Sequence, residues 1–292
     1  MTADPPRQNK LAHYLLRAVN KAAREHRMLA SGDTVLVATS GGKDSMTLLD
    51  LLHRRQRSSP ERVTLVAARM LPDRQCGRAV PVPWLEAYCQ ERGIPLVTEP
   101  FEIAQELKET DTSPCFRCAW QRRKALFRTA QRLGCNKLAF GHHADDVAET
   151  TLLNLFCTAT IRRMEPRIAL FKGALTLIRP LAYVEERAIV DYVRAWDLPL
   201  AGEPCPEGMD SRRRLMRRVL RLVEEDCPRA KRAIYKAVER NELTLRDLRS
   251  DLRECRKQIA VQALMFLRQN LDSPDALCRR TTFVHHGLDK PV

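Results

Sequence analysis

Asp33, then Thr34-Val35-Leu36-Val37-Ala38, then Thr39-Ser40-Gly41-Gly42-Lys43-Asp44-Ser45, then Met46-Thr47-Leu48-Leu49-Asp50-Leu51-Leu52 is the stretch that decides the fold. A continuous apolar run of five residues reads as a strand buried on both faces, and the apolar run after the glycines reads as a helix. Two adjacent glycines between them let the backbone turn tightly and aim several N–H groups at one spot, where the helix dipole adds positive potential. Such a nest suits phosphate. Ser40 and Ser45 supply hydroxyl donors, Lys43 can neutralise phosphate charge, and Asp44 can hold Mg²⁺ on the phosphates. The pattern is neither the Gly-x-x-x-x-Gly-Lys-Ser/Thr loop nor the Gly-x-Gly-x-x-Gly fingerprint. Its plain alternative is a glycine turn ahead of an ordinary helix.

Outward from this unit, strands alternate with helices. Strands are expected at residues 63–68, 95–99, 137–140 and 173–181, and helices at 84–92, 117–133, 147–156 and 184–196. An amphipathic helix at 11–29 precedes them, with Leu11, Leu15, Leu16, Val19 and Ala22 at helical spacing. Alternation of this kind implies right-handed βαβ units, hence an α/β fold with a parallel sheet covered on both faces. The stretch from Ala201 to Met209 is rich in Gly, Pro and Glu, and residues 210–271 read as charged helices. The expected organisation is an N-terminal helical segment (1–30), an α/β domain (31–200), a basic helical region (201–271) and a tail (272–292).

The chain has 292 residues, 44% of them hydrophobic, enough to bury a core, which argues against a disordered protein. Fifty Lys and Arg against 36 Asp and Glu give a formal charge of +14, favouring polyanions over acidic protein partners. The opening MTADPPRQNK lacks the build of a signal peptide, and no apolar run approaches the roughly 20 residues of a membrane span. A cytoplasmic protein without a membrane partner is expected. In that compartment ten cysteines serve as packing, metal ligands or redox groups rather than disulfides.

Cys115-Phe116-Arg117-Cys118 has the spacing that lets two sulfurs face one metal, at the start of a basic helix whose dipole favours thiolates. Half a zinc site, a dithiol couple and part of an iron–sulfur cluster all remain open. Cys89, Cys135 and Cys157 lie in or beside apolar stretches and are expected to pack in the core. Cys205, between Pro204 and Pro206, sits in a loop that can present a ligand. Gly141-His142-His143-Ala144-Asp145-Asp146 follows a strand and opens a helix, which is where ligands bind in open α/β sheets, although aspartates in a first turn also stabilise the dipole. Arg212, Arg213, Arg214, Arg217, Arg218 and Arg221 crowd one helix, with Arg214, Arg217 or Arg218, and Arg221 one turn apart; Arg122, Arg123, Lys124 and Arg128 form a second cluster. Charges this dense repel one another, so a folded RNA is the expected partner.

Taken together, Ser40 to Ser45, Cys115-x-x-Cys118 with its basic helix, residues 133–146, Arg179-Pro180-Leu181-Ala182-Tyr183-Val184-Glu185-Glu186 and Pro204-Cys205 resemble the tRNA 2-thiocytidine synthetases. These are a branch of the PP-loop (N-type ATP pyrophosphatase) sulfur-transfer enzymes. The resemblance covers some three quarters of the chain. It implies ATP and Mg²⁺ on the PP-loop through Ser40, Gly41, Gly42, Lys43, Asp44 and Ser45, with Gly141, His142 and Asp145 alongside. It also implies a [4Fe–4S] cluster on Cys115, Cys118 and Cys205, with Lys43, Asp44 and the three cysteines as the catalytic set. The reaction implied is adenylation of a cytidine C2 oxygen in tRNA and its replacement by sulfur from a cysteine desulfurase or another persulfide donor. The resemblance leaves room for a homodimer. The family's later loop usually reads Pro-Cys-x-x-Cys, whereas Cys205 is followed by Pro206-Glu207-Gly208. Rival readings are a lysidine-synthetase-type ligase, a 2-thiouridine synthetase, and a zinc-containing RNA-binding protein without catalysis.

Overall fold

The computed structural model describes residues 6–73, 81–103, 114–198 and 212–240, with isolated helical positions between 253 and 265. Two compact units divide the chain, Met1–Val238 and Glu239–Val292. The second contributes only the isolated helical positions and the last two residues of the 212–240 segment. The boundary expected near Ala201 lies outside the described residues, as do Cys205 and the tail.

The first unit runs α1 (Pro6–Glu25), β1 (Thr34–Ala38), α2 (Lys43–Ser58), β2 (Thr64–Pro72), α3 (Val82–Glu91), β3 (Leu96–Phe101), α4 (Pro114–Arg132), β4 (Lys137–Ala139), α5 (Ala144–Thr158), β5 (Arg167–Leu170), β6 (Leu175–Ile178), α6 (Glu186–Ala195) and α7 (Arg212–Asp226). A further helical run covers residues 230–240. The six strands form one sheet in the order β3-β2-β1-β4-β6-β5. All neighbours pair in parallel except β5 with β6.

Strand alternation divides the core. Val35, Val37, Leu65 and Ala67 face one layer with α1, α2, α3 and α6, where Leu15, Val19, Leu49, Leu85, Ile189 and Tyr192 are buried. Leu36, Val66, Ala68 and Leu138 face the other, where α4 supplies Leu126 and Ala130. The central strands are therefore apolar on both faces, as a covered parallel sheet requires.

The α/β reading holds, with two corrections. The sheet is not wholly parallel: β5 was not expected, and it folds back on β6 through a tight turn in which Phe171, Lys172 and Gly173 all have positive φ. Cys157, expected in the core, is exposed on the last turn of α5, whereas Cys89 and Cys135 are buried, one in each layer. Among the described residues no helix is long and apolar enough to cross a membrane.

Candidate active site

Strand order reverses at β1: β2 and β3 build to one side of it, and the chain then crosses over to lay β4 on the other. The carboxyl ends of β1 and β4 thus flank the crevice where open α/β sheets bind ligands. Both marked segments end there, residues 39–45 after β1 and residues 140–146 after β4.

The glycine loop forms because its residues satisfy one another. Gly41 takes φ 81°, a left-handed conformation that a side chain would strain. Gly42 N–H donates to Ser40 Oγ at 3.3 Å, Ser45 Oγ–H donates to Gly42 O at 2.9 Å, and the Ser40 and Ser45 hydroxyls are 3.2 Å apart. Gly42 caps α2 in an extended conformation, so the first amides of α2 are aimed at the crevice. Gly141 closes the other side: a Cβ there would stand 2.9 Å from Asp44 C and 3.0 Å from Asp44 O. Only a glycine lets the end of β4 touch the first turn of α2.

The Lys43 ammonium lies 3.1 Å from Asp44 and 2.9 Å from Glu186 Oε1. Burial alone would lower its pKa, but these two carboxylates outweigh that and raise it, so Lys43 is firmly charged. Asp44 Oδ1 is buried and accepts no hydrogen bond although the Lys43 ammonium is near it. An under-satisfied carboxylate oxygen beside a phosphate nest fits Mg²⁺, a hard cation that seeks such oxygens.

Three carboxylates surround His143: Asp44 at 3.7 Å, Asp145 at 3.5 Å and Asp146 at 3.4 Å. Burial opposes its protonation, yet Asp145, Asp146 and Asp44 raise its pKa above the ordinary value. His142 goes the other way. Burial and the Arg179 guanidinium push it down to about 4, so its ring is neutral near pH 7. Arg179 Nε donates to His142 Nδ1 at 3.3 Å, which leaves the ring proton on Nε2.

Asp145 is buried with both oxygens engaged. Oδ2 accepts the Glu186 N–H at 2.7 Å, and Oδ1 pairs with Lys231 at 2.6 Å. Burial would raise its pKa, but His143, Lys231 and the Glu186 amide together hold it well below the usual carboxylate range. The contacts form a relay: Asp145 fixes the start of α6, and Glu186 at that start holds Lys43. Arg213 reaches Asp146 Oδ1 at 3.3 Å and Thr150 Oγ1 at 3.1 Å, and Arg217 reaches Glu149 Oε1 at 2.6 Å. Glu186, Arg179 and Lys231 carry this geometry with no role expected from the sequence, and Arg213 and Arg217, expected there in an RNA-facing cluster, turn to carboxylates instead. Glu186 and Arg179 stood within a quoted motif, but a pairing across 143 positions leaves no local signal.

The start of α4 belongs to the same sheet edge, since it follows β3. Arg122 lies 5.9 Å from the Phe101 ring at the end of β3 and donates from Nη2 to Cys118 Sγ at 3.4 Å. Arg123 is near enough to His142 and Arg179 to influence both. Cys118 is a half-buried free thiol one helical turn from Cys115. Beside them Phe116 and Trp120 are 64% and 54% exposed, an apolar rim on an otherwise basic helix. Two soft thiol donors on one turn, with an arginine at the sulfur, fit an iron–sulfur cluster. Cys205 lies outside the described residues.

A family model described as a PP-loop domain matches residues 9–223. A tRNA-cytidine(32) 2-sulfurtransferase of Geobacter sulfurreducens is 38% identical over 226 residues, 76% of this chain and 87% of that protein. Another of that name from Methylobacillus flagellatus is 36% identical over 233 residues, 78% of this chain and 76% of that protein. Among solved structures, the U34-tRNA thiolase NcsA from Methanococcus maripaludis with its [4Fe–4S] cluster superposes with a TM-score of 0.68 at 24% identity over 80% of each chain. That likeness is one of fold.

Proposed function

Because the chain belongs to the PP-loop family and, within it, to the tRNA 2-sulfurtransferases, we propose that it adenylates the C2 oxygen of a tRNA cytidine and replaces that oxygen with sulfur. The observation that carries this reading is the convergence on one sheet edge of a phosphate nest with a charged lysine and a helix start bearing two cysteines. The target proposed is cytidine 32, the position in the relatives' names.

Lys43, the loop amides and the Ser40 and Ser45 hydroxyls hold the triphosphate of ATP, with Gly141 keeping the crevice narrow and His142 at its wall. Asp44 would hold Mg²⁺, which would offset phosphate charge. The cytidine C2 oxygen attacks the α-phosphorus and pyrophosphate leaves. Sulfide, released from the persulfide of a cysteine desulfurase or another donor by a thiol reductant that is left as a disulfide, then attacks C2, and AMP departs with the original oxygen. Cys115, Cys118 and Cys205 would hold a [4Fe–4S] cluster, which would supply thiophilic iron for the incoming sulfur. His142, held neutral by burial and by Arg179, can donate from Nε2–H to a developing oxyanion without carrying charge into the site. Asp145 acts as a positioning residue, through Glu186, on Lys43. The exposed face of α7 and the basic side of α4 take RNA phosphates.

The test is anaerobic purification, iron and sulfide analysis, and a thiolation assay with ATP, tRNA and sulfide. About four irons per chain are expected, together with pyrophosphate release and 2-thiocytidine in the digested tRNA. Lys43→Ala is expected to abolish pyrophosphate release, and Cys118→Ser to lose iron and thiolation while keeping the fold. Zinc in place of iron, or thiolation independent of ATP, would overturn the scheme.

A further inference from the structure

Arg69 lies on β2, one residue beyond the point where β1 gives way to the phosphate loop. Ala38 pairs with Ala68 at the end of the β1 ladder, and β2 then continues alone against β3 from Arg69 to Pro72. The last link between β2 and the loop is Thr39, whose N–H and Oγ1–H both donate to Ala68 O, at 2.8 and 2.9 Å. Arg69 is therefore the first residue of β2 to flank the crevice itself. Side chains alternate along a strand, so Arg69 shares its face with Leu65 and Ala67. These pack in the layer that contains Met46, Leu48 and Leu49 of α2. Arg69 thus stands on the same face as the helix whose first turn forms the phosphate nest.

Nothing among the described residues accounts for the Arg69 side chain. The residue is 4% exposed, and its Nη1 is buried with no hydrogen-bond partner. No carboxylate among the described residues pairs with it, and burial alone pulls its pKa below the usual guanidinium value. The other buried arginines differ: Arg55 is bonded to Asn20 and Glu61, and Arg179 to His142 and Glu165. A guanidinium taken from water without an anion is costly, so a fold keeps one in that state where a ligand supplies the missing charge. Its planar donor fork suits phosphate oxygens.

We infer that Arg69 is a second cationic ligand of the nucleotide, contacting ATP phosphate oxygens from β2 opposite the nest that carries Lys43. The inference rests on the reading of residues 40–45 as an ATP site and deepens it. A phosphate of the RNA backbone has the same chemistry, but the position beside the loop and on the α2 face favours the nucleotide.

The test uses the full-length protein with Arg69→Met, Arg69→Lys and, as comparator, Lys43→Ala. ATP affinity is measured by calorimetry with a non-hydrolysable ATP analogue, tRNA affinity by filter binding, and melting temperature with and without the analogue. Arg69→Met is expected to weaken analogue binding ~10- to 100-fold, the range for losing a hydrogen bond to a charged group, and to leave tRNA binding within about twofold. Its melting temperature without nucleotide should equal or exceed that of the parent, since an unpaired buried charge is removed, while the nucleotide-induced rise shrinks. Arg69→Lys should fall between. A merely structural arginine would do the reverse, lowering the unliganded melting temperature and sparing the nucleotide-induced rise; that result overturns the inference. Weakened tRNA binding with unchanged analogue binding overturns it in favour of RNA phosphate. Parent-like analogue binding in both Arg69 variants, with Lys43→Ala impaired, overturns it and leaves the ATP site standing; a parent protein that binds no analogue removes both.

Discussion

At the scale of single residues, the glycines of the crevice are not equivalent. Gly42 has room for a methyl group, with Ser40 Oγ 3.5 Å from a Cβ placed there, whereas at Gly141 that atom would press on the Asp44 backbone at 2.9 Å. Backbone cannot swing aside as a flexible side chain can. Gly141→Ala is expected to cost roughly 1–3 kcal/mol in chemical denaturation, the range for overpacking, and to cut pyrophosphate release by displacing Asp44. Gly42→Ala should unfold within about 1 kcal/mol of the parent. Equal stability losses in the two variants would refute the close approach of β4 to α2. His143 makes a second prediction at this scale, through pH. Its pKa is raised in the folded protein, so the folded state holds the proton more tightly than the unfolded chain. That stabilisation is complete below about pH 6.5, the unfolded value, and is lost as pH rises through the folded value. Asp145, whose pKa is depressed, contributes above its unfolded value and loses its contribution as pH falls. His143→Gln should therefore be most destabilised relative to the parent in mild acid, with the gap closing toward alkaline pH. A gap that widens with pH in urea titrations contradicts this account.

At the scale of elements, α7 is a latch on α5. Its buried residues Met216 and Leu220 give the helix an apolar seat, and Arg213 and Arg217 pair with Asp146 and Glu149. The carboxylate of Glu149 is only 2% exposed while Arg217 is 38% exposed, so removing the arginine strands a buried charge. Arg217→Met is expected to cost roughly 1–3 kcal/mol, below the full value for a buried pair because the arginine is partly in water. Pairing it with Glu149→Gln should recover most of that loss, because neither charge then remains. A double variant no more stable than the single would mean that the ion pair is not what holds the helix. The elements show what a sequence can disclose. β1, the glycine loop and α2 were legible because a five-residue apolar run, two glycines and a helical period follow one another locally. β5 was not, since four residues are too short a run to show a strand period, and its pairing depends on the turn at 171–173. Cys115-x-x-Cys118 stood out through its spacing, but the relay from Asp145 through Glu186 to Lys43 joins three elements and has no spacing to read.

On the scale of the whole molecule, the excess charge of +14 is not spread evenly over its uses. The arginines of residues 212–221 read as one cluster in the sequence, and the fold divides them. Arg213 and Arg217 turn inward to carboxylates, while Arg212, Arg214, Arg218 and Arg221 are exposed. Composition could not make that division, because it depends on where Asp146 and Glu149 meet α7. If the exposed set binds tRNA, each phosphate contact releases counterions, and the logarithm of affinity falls with the logarithm of salt by about 0.7 to 0.9 per contact. Replacing Arg214, Arg218 and Arg221 with glutamine should lower that slope by roughly 2 to 3 and leave nucleotide binding unchanged. Arg217→Gln should scarcely alter the slope, because its charge is already engaged by Glu149. Filter binding across a salt series separates these cases: an unchanged slope in the triple variant would place the RNA elsewhere, with the Arg122, Arg123, Lys124 and Arg128 cluster of α4 as the next surface to titrate.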